Sequence, residues 1–86
     1  MKITTTSKFK KAYDRLPQTI KKKVKKAVNF LQQDLFYPSL YTKKMEGRTN
    51  TWEARVDRLY RMTFEKDQDT IILRTVGPHD EGLGKK

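Results

Sequence analysis

The sequence predicts an α+β fold in which two N-terminal helices cover one face of a small, mainly antiparallel sheet. Three observations lead there. Apolar residues recur at helical spacing between Phe9 and Leu31, then at a period of two from Trp52 onward, the mark of strands with one buried face. Short polar clusters at Asp57-Arg58 and Asp67-Gln68-Asp69 separate those strands and read as hairpin turns. Gly77-Pro78-His79-Asp80 then closes the last strand.

The elements follow in order. Lys2-Ile3-Thr4-Thr5-Thr6 is short and β-branched, and reads as an edge or companion strand. Ser7 is the expected N-cap of a first helix, along which Phe9, Ala12, Tyr13 and Leu16 keep i, i+3, i+4, i+7 spacing. Pro17 has no N–H to donate, so it ends that helix and suits the first turn of a second. The second helix spans about residues 18–34, with Ile20, Val24, Ala27, Val28 and Leu31 on one stripe. Lys21, Lys22, Lys25 and Lys26 crowd much of its remaining surface. Like charges four residues apart destabilise a helix. That face reads equally as a solvated surface or as a flank that tracks phosphates.

Residues 35–50 form a connection interrupted by Pro38 and Gly47, in which Phe36, Leu40 and Tyr41 are expected to cover the edge of the core. Lys43-Lys44-Met45 begins a short strand before the Gly47-Arg48-Thr49-Asn50 turn. On the next strand Trp52, Ala54 and Val56 point one way, Glu53 and Arg55 the other. Tyr60, Met62 and Phe64 repeat the pattern against Arg61 and Thr63. Ile71 and Leu73 share a face of the last strand, which leaves Ile72, Arg74 and Val76 opposite; apolar residues on both faces suit an interior strand. One sheet face is thus fit for a core, and the other gathers a carboxylate and several guanidinium groups.

Composition bounds the function. The 86 residues are expected to form one domain, 1–86. Twenty Lys and Arg against ten Asp and Glu give a net charge of +10, a field that attracts polyanions, nucleic acid first. Cysteine is absent and His79 is the single histidine, which excludes disulfides, thiolate sites and histidine clusters. No metal or cofactor is expected. No apolar run reaches membrane-spanning length, and MKITTTSKF lacks a signal-peptide apolar region. The expectation is a cytoplasmic protein without a membrane partner.

Order and spacing carry a resemblance. A short strand, two helices hinged at Leu16-Pro17 and a lysine-rich second helix lead to Lys43-Lys44-Met45-Glu46-Gly47. Then come Trp52-Glu53-Ala54-Arg55-Val56, Tyr60-Arg61-Met62 and Ile72-Leu73-Arg74-Thr75-Val76-Gly77-Pro78-His79-Asp80. Over about residues 3–81 this resembles the RelE/ParE superfamily of small toxins from bacterial toxin–antitoxin pairs. The resemblance implies a curved antiparallel sheet with two helices on one side and an active face on the other. It implies a ribosome-dependent endoribonuclease acting on messenger RNA, neutralised by a cognate antitoxin protein.

Carried over by position, Arg61 matches the strand arginine that holds the scissile phosphate. Glu53 falls where YoeB-like members place a candidate general base, and His79 where they place a histidine able to act as general acid. The catalytic set implied is therefore Glu53, Arg61 and His79, with Arg55, Lys43 and Lys44 as further RNA or phosphate contacts. Arg74 is expected to pair across the sheet instead. Many members carry an aromatic residue shortly after the basic corner; here residues 80–86 read Asp-Glu-Gly-Leu-Gly-Lys-Lys. Two other readings compete: a ParE-like toxin that inhibits DNA gyrase without catalysis, and an inactive basic module that binds nucleic acid or antitoxin.

Overall fold

Strand periodicity in the C-terminal half builds the centre of the molecule in the computed structural model, which describes residues 1–78. The elements are β1 (Lys2–Thr5), α1 (Ser7–Asp14), α2 (Gln18–Gln33), β2 (Lys43–Lys44), β3 (Thr51–Arg55), β4 (Tyr60–Asp67) and β5 (Thr70–Pro78), with a 3-10 turn at Pro38–Leu40. They form one five-stranded sheet in the order β1-β5-β4-β3-β2. β1 runs parallel to β5; the other neighbours are antiparallel, as the hairpin turns require. Among the described residues no helix is long and apolar enough to cross a membrane.

Both helices cover one sheet face. Phe9 of α1 and Val24, Ala27 and Leu31 of α2 bury against Ala54, Met62, Phe64, Ile71 and Leu73. Leu35 and Leu40 close one end of this core. Trp52 stands directly across from Phe64 in the β3–β4 register, and their rings stack with centroids 6.5 Å apart. Leu40 is buried as expected, but Phe36 and Tyr41 are 59% and 67% exposed, so neither covers the core edge.

Three local expectations need correction. Thr6, not Ser7, caps α1: its Oγ1 accepts the Phe9 N–H at 3.1 Å. The same hydroxyl lies 3.2 Å from the carbonyls of both Leu73 and Arg74, so the cap is anchored to β5, which Ser7 is not placed to do. α1 ends at Asp14, before Leu16, and Pro17 stands at the N-cap of α2 rather than inside its first turn. Val76 is buried in the core instead of facing away from Ile71 and Leu73. Thr63 pairs with Thr75 whereas Phe64 pairs with Leu73, so Arg74 is an extra residue in β5. Such a bulge reverses the alternation beyond it. Strict period-two counting misses it.

Candidate functional site

An open groove of about 470 Å³ runs along the strand face that carries Thr51, Glu53 and Thr63, with Lys8 and Ala12 of α1 at its side. Its floor holds the hydroxyl residues Thr51, Thr63 and Thr75, the last two joined by a 2.6 Å hydrogen bond between their Oγ1 atoms. The bulge matters here, because it lets the consecutive residues Arg74 and Thr75 both line the groove. Lys8 of α1, Arg48 of the β2–β3 connection, Arg61 and Arg74 surround it, against Glu53 as the one lining carboxylate among the described residues. Among the described residues this is a cationic groove with a single base-bearing group.

Glu53 faces Lys43 across the β2–β3 register, and Lys43 Nζ lies 3.8 Å from Glu53 Oε1. The carboxylate is mostly covered, with 16% of its side chain exposed, whereas the lysine is 71% exposed. Thr63 pairs with Glu53, and Arg61 lies two residues from Thr63 on the same strand face, so Glu53 and Arg61 are diagonal neighbours. Arg61 is half-buried. Its Nη1 donates to the carbonyls of Asp57 at 2.6 Å, Tyr60 at 3.1 Å and Arg58 at 3.3 Å. Arg61 has no carboxylate ion-pair partner among the described residues. Arg74 pairs with Glu65 of β4, the cross-sheet ion pair expected of it.

Asp57 shapes the turn beneath Arg61. Its Oδ1 accepts the amides of Leu59 and Tyr60, each at 2.9 Å, and Lys23 Nζ sits 3.2 Å from Oδ2. Burial pushes this carboxyl up. The Leu59 amide, the Lys23 ammonium and the Tyr60 amide outweigh that and hold it below its ordinary value.

None of the three expected phosphate contacts, Arg55, Lys43 and Lys44, lines the groove itself. Arg55 sits directly opposite Arg61 in the β3–β4 register, an arrangement in which like charges repel. Its guanidinium lies instead over the Tyr41 ring, 5.0 Å from the centroid, and lines a separate cleft. Lys44 pairs with Trp52, which puts it on the opposite sheet face from Lys43 and Glu53. Lys43 stays beside Glu53. His79 lies outside the described residues; Pro78, the residue before it, lines the groove. Sequence reasoning missed Lys8 and Arg48, which reach the groove from a helix and a loop and leave no strand-period signal. Among the described residues no three His, Cys, Asp or Glu side chains gather as a metal site.

Solved structures decide the fold. The toxin–antitoxin complex RelB-RelE from Methanococcus jannaschii contains a chain that superposes with a TM-score of 0.76 at 26% identity, covering 93% of this chain and 94% of that one. By fold, the chain belongs to the RelE-like toxin superfamily. A YoeB/ParE toxin from Agrobacterium tumefaciens matches at a TM-score of 0.78 and 14% identity over 92% of this chain and 99% of that chain. YafQ from Escherichia coli BL21(DE3) matches at 0.77 and 16% over 96% and 97%. No protein-family model and no curated protein sequence matches the chain. Its RelE-like character therefore rests on the backbone arrangement.

Proposed function

We propose that the chain is the toxin of a toxin–antitoxin pair, a cytoplasmic endoribonuclease that cuts messenger RNA on the ribosome without a metal. The observation that carries this reading is that Glu53 and Arg61 line one cationic groove as diagonal neighbours. The substrate's 2′-hydroxyl attacks the adjacent phosphorus, and the Glu53 carboxylate takes its proton. Arg61 neutralises the charge that grows on the phosphoryl oxygens. The bond from phosphorus to the 5′-oxygen breaks, and His79, adjacent in sequence to the groove, supplies the proton that the departing oxygen needs. An acid or base so placed contributes roughly 10²–10⁴ in rate. The products are a 2′,3′-cyclic phosphate and a 5′-hydroxyl.

Toxins of this fold appear in complexes named for RelB-RelE and YoeB-YefM, toxin with antitoxin. The proposed partner here is likewise an antitoxin, with an acidic segment suited to the +10 chain. End analysis of cleaved RNA tests the chemistry. Fragments ending in a cyclic phosphate support it, and fragments with a free 3′-hydroxyl and a 5′-phosphate overturn it. Gyrase inhibition with RNA left whole would transfer the assignment to the ParE-like alternative.

A further inference from the structure

On the helix side of the β3–β4 turn, a second cleft of about 460 Å³ opens between α2 and the end of β3. Lys23, Lys26 and Arg55 line it above the buried side chains of Ala27 and Leu40. Asp57 is the only carboxylate among its described lining residues, and that group is already held by Lys23 and two turn amides. Neither Lys26 nor Arg55 has an ion-pair partner among the described residues. Aromatic rings position them instead. Lys26 Nζ lies 5.7 Å from the Phe30 centroid, and Phe30 stacks on Tyr37 at 4.0 Å and 8°. Arg55 lies over Tyr41.

Tyr41 is costly where it stands. It is 67% exposed and takes a left-handed backbone with φ of 47°, a conformation uncommon for any residue but glycine and asparagine. Its N–H is fixed to the Pro38 carbonyl at 3.3 Å, so the ring projects from a closed turn rather than a loose loop. A flat, exposed ring under the guanidinium of Arg55, which itself lines the cleft with Lys23 and Lys26, is a stacking platform at the edge of a cluster of phosphate-binding cations.

We infer that this cleft is a second RNA site, in which Lys26 and Arg55 hold the backbone of a single-stranded segment and a base stacks on the Tyr41–Arg55 pair. An acidic protein segment would match the cations, but a nucleobase also uses the exposed ring. The site is distinct from the groove, and it does not depend on cleavage. The two come together at the β3–β4 turn, where Asp57 lines the cleft and its carbonyl accepts from Arg61, and where Arg55 stands opposite Arg61 in the register.

The test is fluorescence anisotropy with a labelled, fully 2′-O-methylated oligouridine, which has no 2′-hydroxyl and cannot be cut. Tyr41→Ala should weaken binding about tenfold, while Tyr41→Phe keeps it within about twofold. Lys26→Gln with Arg55→Gln should lower the salt slope by about 1.4, and melting curves confirm that each variant folds. Photo-cross-linking of 5-bromouridine RNA to the unmodified protein should yield an adduct at Tyr41. Native affinity in Tyr41→Ala, an unchanged slope, or adducts confined to the groove would overturn the inference. So would binding of a poly-glutamate peptide that needs Tyr41 and Arg55 when RNA binding does not.

Discussion

Arg61 Nη1 donates to the carbonyl of Asp57 at 2.6 Å, so the arginine of the groove also clasps the turn that leads into its own strand. One nitrogen of the guanidinium is committed to turn carbonyls, and the rest of the fork remains for an anion. The geometry ties a structural role and the proposed catalytic one to the same side chain.

Two effects should therefore separate in variants of Arg61. Arg61→Ala should abolish cleavage and also lower stability by about 1 kcal/mol, since the Asp57 and Tyr60 carbonyls lose a charged donor. Arg61→Lys keeps the charge without the fork, so it should recover part of the RNA affinity and little of the cleavage. Denaturant melts beside cleavage rates check both. Full cleavage by Arg61→Ala would remove this residue from the site.

Asp57 gives the fold an acid-sensitive clasp. Its carboxyl is held below its ordinary value, so its stabilisation is complete above the unfolded value, about pH 4. It is lost as pH falls further, through the lower folded-state value. Asp57→Asn should destabilise the chain by about 1 kcal/mol at neutral pH and flatten the acid limb of a stability–pH curve. An unaltered acid limb in that variant would count against the clasp.

The N-cap of α1 offers a paired comparison. Thr6→Ala removes the acceptor for the Phe9 amide and the tie to β5, and should lower stability by about 1–2 kcal/mol. Ser7→Ala should change it by less than about 0.5 kcal/mol. Thermal melts of the two proteins distinguish the caps, and equal losses would contradict the assignment.

Glu53 and Lys43 should behave unequally. Glu53→Gln keeps the shape but loses the base, and should slow cleavage by roughly 10²–10⁴ with RNA affinity little changed. Lys43→Ala removes an exposed partner and should slow it by less than about tenfold. Single-turnover rates against RNA binding resolve the two contributions. A Glu53→Gln protein that cleaves at the native rate would leave Glu53 as a mere cross-strand partner of Lys43.

The helix stripe of Val24, Ala27 and Leu31 and the strand alternation through Ala54, Met62 and Phe64 were legible because burial repeats at each element's own period. Val76 was not, because the extra residue at Arg74 shifts the count without a glycine or proline to announce it. At the site, strand parity put Glu53 and Arg61 on one face. It could not foresee that Arg55, on that face by parity, would turn to Tyr41 under repulsion from Arg61. Lys44 followed from its register with Trp52, which only the fold reveals. Lys8 and Arg48 reach the groove through tertiary packing alone.

The most direct test of the central claim is primer extension on a messenger RNA under translation in a purified system, with and without ribosomes. The native chain should produce cuts that require ribosomes, that vanish with Arg61→Ala and that diminish with His79→Ala. Intact message at high protein concentration, or cuts that persist in Arg61→Ala, would contradict the account.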